Sequence, residues 1–164
     1  QICRDIGCCL SPFNAFLMSI GIDSLAVRME RHVSNAMKVA AFLAADKRVP
    51  AVRYPGLESD PHHAVAHRQF RNGYGSLLTL KLKSREDCFK FINGLKRAKN
   101  VANLGDTRTL VIHPASTFCR DLSEEERRVI GVSEELIRLS IGLEHADDII
   151  SDMDESLSML NSRK

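Results

Sequence analysis

Residues 78–95 read LTLKLKSREDCFKFINGL, and the apolar spacing changes in the middle of this stretch. Over its first part Leu78, Leu80 and Leu82 alternate with Thr79, Lys81 and Lys83, the period-two pattern of a strand with one buried and one wet face. Ser84 followed by Asp87 is then a helix-capping pattern, and Cys88, Phe91, Ile92 and Leu95 recur at the spacing of an amphipathic helix. A helix with a single apolar stripe, fed directly by a strand, packs on a sheet. The flanking sequence supplies the rest of that sheet. Leu110 to His113 reads as another strand, and Ile137, Leu139 and Ile141 mark one more, alternating with Arg138 and Ser140. Val49 to Tyr54 carries Pro50 and closes on Pro55-Gly56, which predicts an edge strand and a turn.

Helical patterns fill the remaining chain. Ser11 as N-cap and Pro12 at the first helical position start a short helix over 11–20 with Phe13, Phe16 and Leu17 on its apolar face, broken at Gly21. Asp23 or Ser24 then caps the longest helix, whose stripe is Leu25, Met29, Val33, Ala36, Ala40 and Leu43, ending near Asp46. Residues 61–71 suggest a short helix, Ser123 with Glu126 caps another, and a last one buries Ile150, Met153, Leu157 and Leu160. These elements predict an α+β fold in which one open sheet carries helices on one face.

Composition agrees with a folded domain: 164 residues, of which 44% are apolar and 27% charged. A chain of this size hides roughly 70% of the surface its unfolded form exposes, so it builds a core without staples. Lys plus Arg number 23 against 21 Asp plus Glu, a formal charge of +2, which excludes a generic polyanion binder as the first expectation. No apolar run approaches the roughly 20 residues of a spanning helix, and the pattern reads as a soluble, unexported protein. The five cysteines (Cys3, Cys8, Cys9, Cys88, Cys119) are odd in number, and free thiols in a reducing cytosol are expected.

Few residues suggest chemistry. The chain has no phosphate-cradling glycine loop, no nucleophile elbow and no paired-cysteine metal site. His63 and His67 have metal-like spacing on a predicted helix, but two ligands are too few and no metal is expected. The run Lys81, Lys83, Arg85, Lys90, Lys96, Arg97 and Lys99, with Phe89 and Phe91 interleaved, reads as a solvated face rather than a nucleic-acid stripe. Cys119 has no neighbouring base in sequence to activate it. Arg138 is more informative, because strand alternation sends it to the face opposite Ile137, Leu139 and Ile141. There it is either part of a wet strand face or a guanidinium that takes a carboxylate bidentately. The turn Asn103-Leu104-Gly105-Asp106 could present donors nearby.

Five stretches carry a resemblance: LSPFNAFL at 10–17, RMERH at 28–32, YPGL at 54–57, NLGDTRTLVIHPAST at 103–117 and LIRLSIGLE at 136–144. In this order they resemble the C-terminal part of the pyridoxal-phosphate enzymes of cysteine and methionine metabolism. The NLGD and HPAST wording is most similar to the O-acetylhomoserine sulfhydrylase branch, with methionine gamma-lyase and the cystathionine enzymes as near relatives. The resemblance implies the small C-terminal domain of fold-type I pyridoxal-phosphate enzymes, a mostly antiparallel sheet with helices on one face preceded by a long linking helix. Residues 1–46 would link to a missing N-terminal cofactor domain, and residues 47–164 would form the α+β domain.

It also implies that intact relatives replace or eliminate a γ-substituent of an amino acid, acetate leaving and sulfide or a thiol adding, to give homocysteine or methionine. The lysine that bonds the cofactor lies upstream in the family, and none of Lys38, Lys47, Lys81, Lys83, Lys90, Lys96, Lys99 or Lys164 sits in its motif. The segment alone is therefore expected to be inactive and to bind no pyridoxal phosphate covalently. Its expected partners are the cofactor domain, further copies in a dimer or tetramer, and an amino-acid substrate, in the cytoplasm and without nucleic acid or membrane. Arg138 matches the family arginine that clamps the substrate α-carboxylate, and Asn103 matches a position, often serine, whose main chain helps hold it. Ala102 stands where cystathionine-preferring relatives often carry glutamate. One departure stands out: Phe118-Cys119 replaces the usual Thr-His after the HPAST stretch. That departure is the sole support for a second expectation, a non-catalytic interaction domain that meets a protein through its basic strand.

Overall fold

All the alternating stretches enter one five-stranded sheet. The computed structural model describes Gly7 and residues 9–160. Its elements in chain order are α1 (Pro12–Asp23), α2 (Leu25–Ala45), β1 (Ala51–Arg53), α3 (His63–Gln69), β2 (Leu77–Lys81), α4 (Arg85–Gly94), β3 (Lys99–Asn100), β4 (Leu110–Ile112), a 3-10 turn (Pro114–Ser116), α5 (Glu124–Val129), β5 (Leu136–Ser140) and α6 (Ala146–Leu160). The strand order is β1-β2-β5-β4-β3, and every pair is antiparallel except β3 with β4. The edge strand expected over 49–54 is the outer strand β1, confined to Ala51–Arg53, with Pro50 immediately before it. β3 went unread in the sequence, because two exposed residues, Lys99 and Asn100, carry no periodicity.

Alternation puts Leu78 and Leu80 of β2, Val111 of β4, and Ile137 and Leu139 of β5 on one face. They meet Ala36, Val39, Ala40 and Leu43 of α2, Cys88, Phe91 and Ile92 of α4, and Ile149, Met153 and Leu157 of α6 in a single core. Two small residues let α4 and α6 close up. A side chain at Gly94 would come within 2.5 Å of Ser156 Oγ, and that hydroxyl donates to the Phe91 carbonyl at 2.6 Å. The buried carboxylate of Asp152, also on α6, accepts the backbone N–H groups of Lys96, Arg97 and Ala98 at 2.8–3.2 Å, satisfying the chain where it leaves α4.

Three helical expectations need correcting. Gly21 does not end the first helix, which runs on to Asp23. Arg28 reaches back to cap the Gly21 carbonyl with Nη2 at 2.5 Å and the Ser24 hydroxyl with Nε at 3.3 Å. The apolar stripe of α2 is enclosed only from His32 onward. Leu25 and Met29 are exposed, and no residue of α1 is buried, Phe13 and Phe16 included. On α6 the enclosed face is turned slightly from the expected one: Ile149 takes the core position, Ile150 and Leu160 are half-buried, and the polar Asp152 and Ser156 are buried because both have partners. Ser11, Ser84 and Ser123 cap their helices as read, the last in a full capping box with Glu126. No helix among the described residues is long and apolar enough to cross a membrane.

Candidate functional site

The face of the sheet away from the helices carries a row of side chains set by register. Arg53 pairs with Thr79, Thr79 with Arg138, and Arg138 with Ile112, so four strands contribute one residue each. Strand alternation at Leu136–Ser140 puts Arg138 here for the same reason that it puts Ile137 in the core. Arg53 is already engaged, with Nε 3.1 Å from the buried Asp60 carboxylate and Nη2 3.1 Å from His62. Arg138 has no carboxylate partner among the described residues; its Nη2 donates to the Asn103 carbonyl at 3.0 Å, and its buried Nε has no hydrogen-bond partner.

The Asn103–Asp106 turn is tied to β5 at two points. Besides the Arg138 contact, the Gly105 N–H donates to Ser140 Oγ at 3.1 Å, and Gly105 adopts φ +74°, a conformation glycine accepts without strain. The Asn103 N–H donates to the Val101 carbonyl and its side-chain oxygen accepts from Leu104, so its carbonyl is the main-chain group that meets Arg138. Asp106 closes the turn, accepting from the Arg108 N–H at 2.9 Å and from its guanidinium at 3.1 Å and 3.2 Å. Those bonds pull its carboxyl down to about 2.

Above the row lies an open depression of about 530 Å³, lined among others by Arg53, Lys81, Phe118, Ile130 and Arg138. Its far wall comes from the segment between the 3-10 turn and β5, through Pro114, Phe118, Ile130, Gly131 and Val132. His113 begins that segment and fixes it, donating from Nε2 to the Glu134 carbonyl at 2.8 Å and accepting at Nδ1 from the Ser116 hydroxyl. Of the pair that replaces Thr-His, Cys119 is buried, whereas Phe118 stays exposed with its ring 5.3 Å from the Arg138 guanidinium carbon. Nothing in the linear sequence signals this contact, since the two residues lie twenty positions apart.

The other candidates do not assemble with Arg138. His63 and His67 stack at 5.9 Å, but His63 Nδ1 donates to the Pro55 carbonyl and His67 Nδ1 lies 3.0 Å from the Tyr74 hydroxyl. No group of three metal-ligating side chains occurs among the described residues. Four members of the basic run are in ion pairs, Arg85 with Glu134, Lys90 with Glu86, Lys96 with Glu155 and Arg97 with Asp148, and Lys81, Lys83 and Lys99 are exposed. Phe91 is core, and Phe89 packs on His113. Cys88 is enclosed, and burial pushes its thiol up to about 12. Cys9, Cys88 and Cys119 are free thiols, while Cys3 and Cys8 lie outside the described residues.

A family model described as Cys/Met metabolism PLP-dependent enzyme matches residues 1–158. The chain is 45% identical over 156 residues to O-acetyl-L-homoserine sulfhydrylase 1 of Thermus thermophilus, covering 94% of this chain and 37% of that protein. It is 44% identical over 160 residues to homocysteine synthase of Schizosaccharomyces pombe, covering 97% and 37%. Among solved structures, an O-acetylhomoserine (thiol)-lyase of Campylobacter jejuni that carries a pyridoxyl-lysine phosphate superposes with a TM-score of 0.89 at 40% identity, covering 94% of this chain and 37% of that one. The chain thus spans a little over a third of the length of each of these relatives. The lysines of the described residues do not fit as covalent holders of such a cofactor: Lys38, Lys47, Lys81, Lys83, Lys90, Lys96 and Lys99 are all exposed.

Proposed function

Because the chain belongs to the Cys/Met metabolism PLP-dependent enzyme family, we propose that it supplies the clamp for a substrate α-carboxylate, with Arg138 as anchor. The observation that carries this reading is the guanidinium on the helix-free face of β5. It lines an open depression with no carboxylate partner among the described residues, and only Nη2 is bonded. A planar fork of N–H donors matches a carboxylate bidentately and adds geometric selectivity to charge. Asn103 contributes through the main-chain carbonyl that orients the fork.

The fold is the small C-terminal domain of a fold-type I enzyme. Residues 1–46 are its link to a cofactor-binding portion, with α1 and α2 as the described helices of that link, and residues 47–164 are the carboxylate-binding unit. The names of the relatives favour an O-acetylhomoserine sulfhydrylase, a transferase that replaces acetate with sulfide or a thiol. The carbon–sulfur chemistry then runs on pyridoxal phosphate held by other residues, in a cytoplasmic homodimer or homotetramer. Residues 1–164 by themselves turn nothing over. The exposure of every described lysine, none of them set in an enclosed pocket, supports this reading.

The first test is a titration of the full chain with L-norleucine, a plain α-amino acid, and with 1-aminopentane, its counterpart without the carboxylate. Norleucine alone is expected to bind, and Arg138→Ala to weaken it at least tenfold, the scale of a charge-assisted pair of roughly 1.5–3 kcal/mol. Unchanged binding in the variant overturns the assignment. Release of homocysteine from O-acetyl-L-homoserine and sulfide by purified residues 1–164 with added cofactor would overturn the claim of inactivity. In a complete enzyme Arg138→Ala is expected chiefly to raise KM.

A further inference from the structure

Phe118 is an exposed aromatic with no place in the core. It keeps 55% of its surface in solvent, while its chain neighbour Cys119 is 3% exposed. Its backbone is nevertheless held in place. The Thr117 hydroxyl donates to the His113 carbonyl at 2.8 Å, the Cys119 N–H to the Pro114 carbonyl at 3.1 Å, and the Arg120 N–H to the Thr117 carbonyl at 3.2 Å. This run of turns starts from the 3-10 turn beside β5, so the ring is presented by a braced segment. The Arg138 guanidinium carbon lies over that ring, 5.3 Å from its centre, well within the range of a cation–π contact.

We infer that Phe118 is a positioning residue for Arg138: its ring packs against the guanidinium, whose carbon lies 5.3 Å from the ring centre, while the Asn103 carbonyl holds Nη2. The inference rests on the reading of Arg138 as the carboxylate anchor. A guanidinium held at Nη2 and packed against a ring has fewer orientations open to it, and a bidentate carboxylate requires one in which two N–H groups point the same way. The aromatic face also replaces water on that side of the cation, at a site where a side chain without a ring would leave the fork free to turn. Pre-ordering of this kind tightens binding by lowering the entropy lost when ligand arrives.

Two explanations for an aromatic at 118 make opposite predictions. Apolar bulk alone is supplied equally well by leucine, whereas a face with a negative quadrupole is supplied only by another ring. The experiment is the norleucine titration of the full chain, followed by the Nε–H resonance of Arg138, in wild type, Phe118→Leu, Phe118→Tyr and Phe118→Trp. Phe118→Leu is expected to raise Kd about two- to fivefold, the equivalent of 0.5–1 kcal/mol for an exposed cation–π contact, and the two aromatic variants to stay within about twofold of wild type.

Wild-type affinity in Phe118→Leu, or equal weakening in all three variants, overturns the inference while leaving Arg138 as anchor. An Arg138→Ala variant that binds norleucine normally, or a wild-type chain that does not bind it, overturns the anchor reading and the inference with it. Backbone amide spectra of each variant exclude unfolding as the cause, and the exposed ring can be exchanged without opening the core.

Discussion

Ile137 and Arg138 are consecutive residues of β5 with opposite surroundings. Ile137 is fully enclosed by hydrocarbon from the helices, and Arg138 stands at the edge of an open depression with one bonded nitrogen. The two faces of this strand divide the work of the domain. Helices α2, α4 and α6 close one face and supply its stability, which leaves the other free to hold a charge that no fold requirement neutralises. The proposed anchor is rooted in the central strand of a five-stranded sheet, while the loops around it supply its partners.

If this division is right, substitutions on the two faces should separate stability from binding. The largest effect is expected from Ile137→Ala, which opens a cavity in the core and should cost about 2–5 kcal/mol in urea unfolding. A loss below 1 kcal/mol would mean that the helical face is less closely packed than it looks.

Asp152→Ala should follow, at about 1–3 kcal/mol, because it strands the three N–H groups that the carboxylate satisfies after α4. Ser123→Ala removes the capping box of α5, the helix that leads into Ile130, Gly131 and Val132 of the depression, and is expected to cost about 1 kcal/mol. Arg138→Ala should change stability by less than about 1 kcal/mol, in contrast to its neighbour, while abolishing most norleucine binding. Equal destabilisation by Ile137→Ala and Arg138→Ala would break the comparison outright.

The smallest expected effect lies in the turn that meets Arg138. Asp106 is held at about 2, below its ordinary 3.8, chiefly by the Arg108 side chain. A carboxyl with a depressed folded value stabilises fully above its unfolded value and loses that contribution as pH falls through the folded one. The turn should therefore be intact above pH ~4 and loosen as pH falls towards ~2. A carbon-detected titration of Asp106 should show its midpoint near 2, moving towards 3.8 in Arg108→Ala. An unchanged midpoint in that variant would remove Arg108 as the cause.

Much of the architecture was legible one element at a time. Leu78, Leu80 and Leu82 against Thr79, Lys81 and Lys83 announce a half-buried strand, and Ser84 with Asp87 announces the helix that follows, because both signals lie within a few residues of each other. Elements without such local signals were missed or misjudged. β3 is two exposed residues long and exists through its pairing with Leu110 and Val111. The first turns of α2 have the same apolar spacing as the last, yet only the last have a sheet and α6 beside them. Periodicity reports which face of a helix is apolar; it does not report whether anything covers it.

The candidate site divides along the same line. Alternation in LIRLS determines that Arg138 leaves the core face, since successive side chains of a strand point to opposite sides. The five matching stretches determine the family. Tertiary structure alone decided which groups surround the guanidinium: the Asn103 carbonyl from thirty-five residues upstream and the Phe118 ring from a separate run of turns. The reason is physical. Period and capping are written in residues a few positions apart, whereas a contact between distant segments depends on where the whole sheet and its loops bring them.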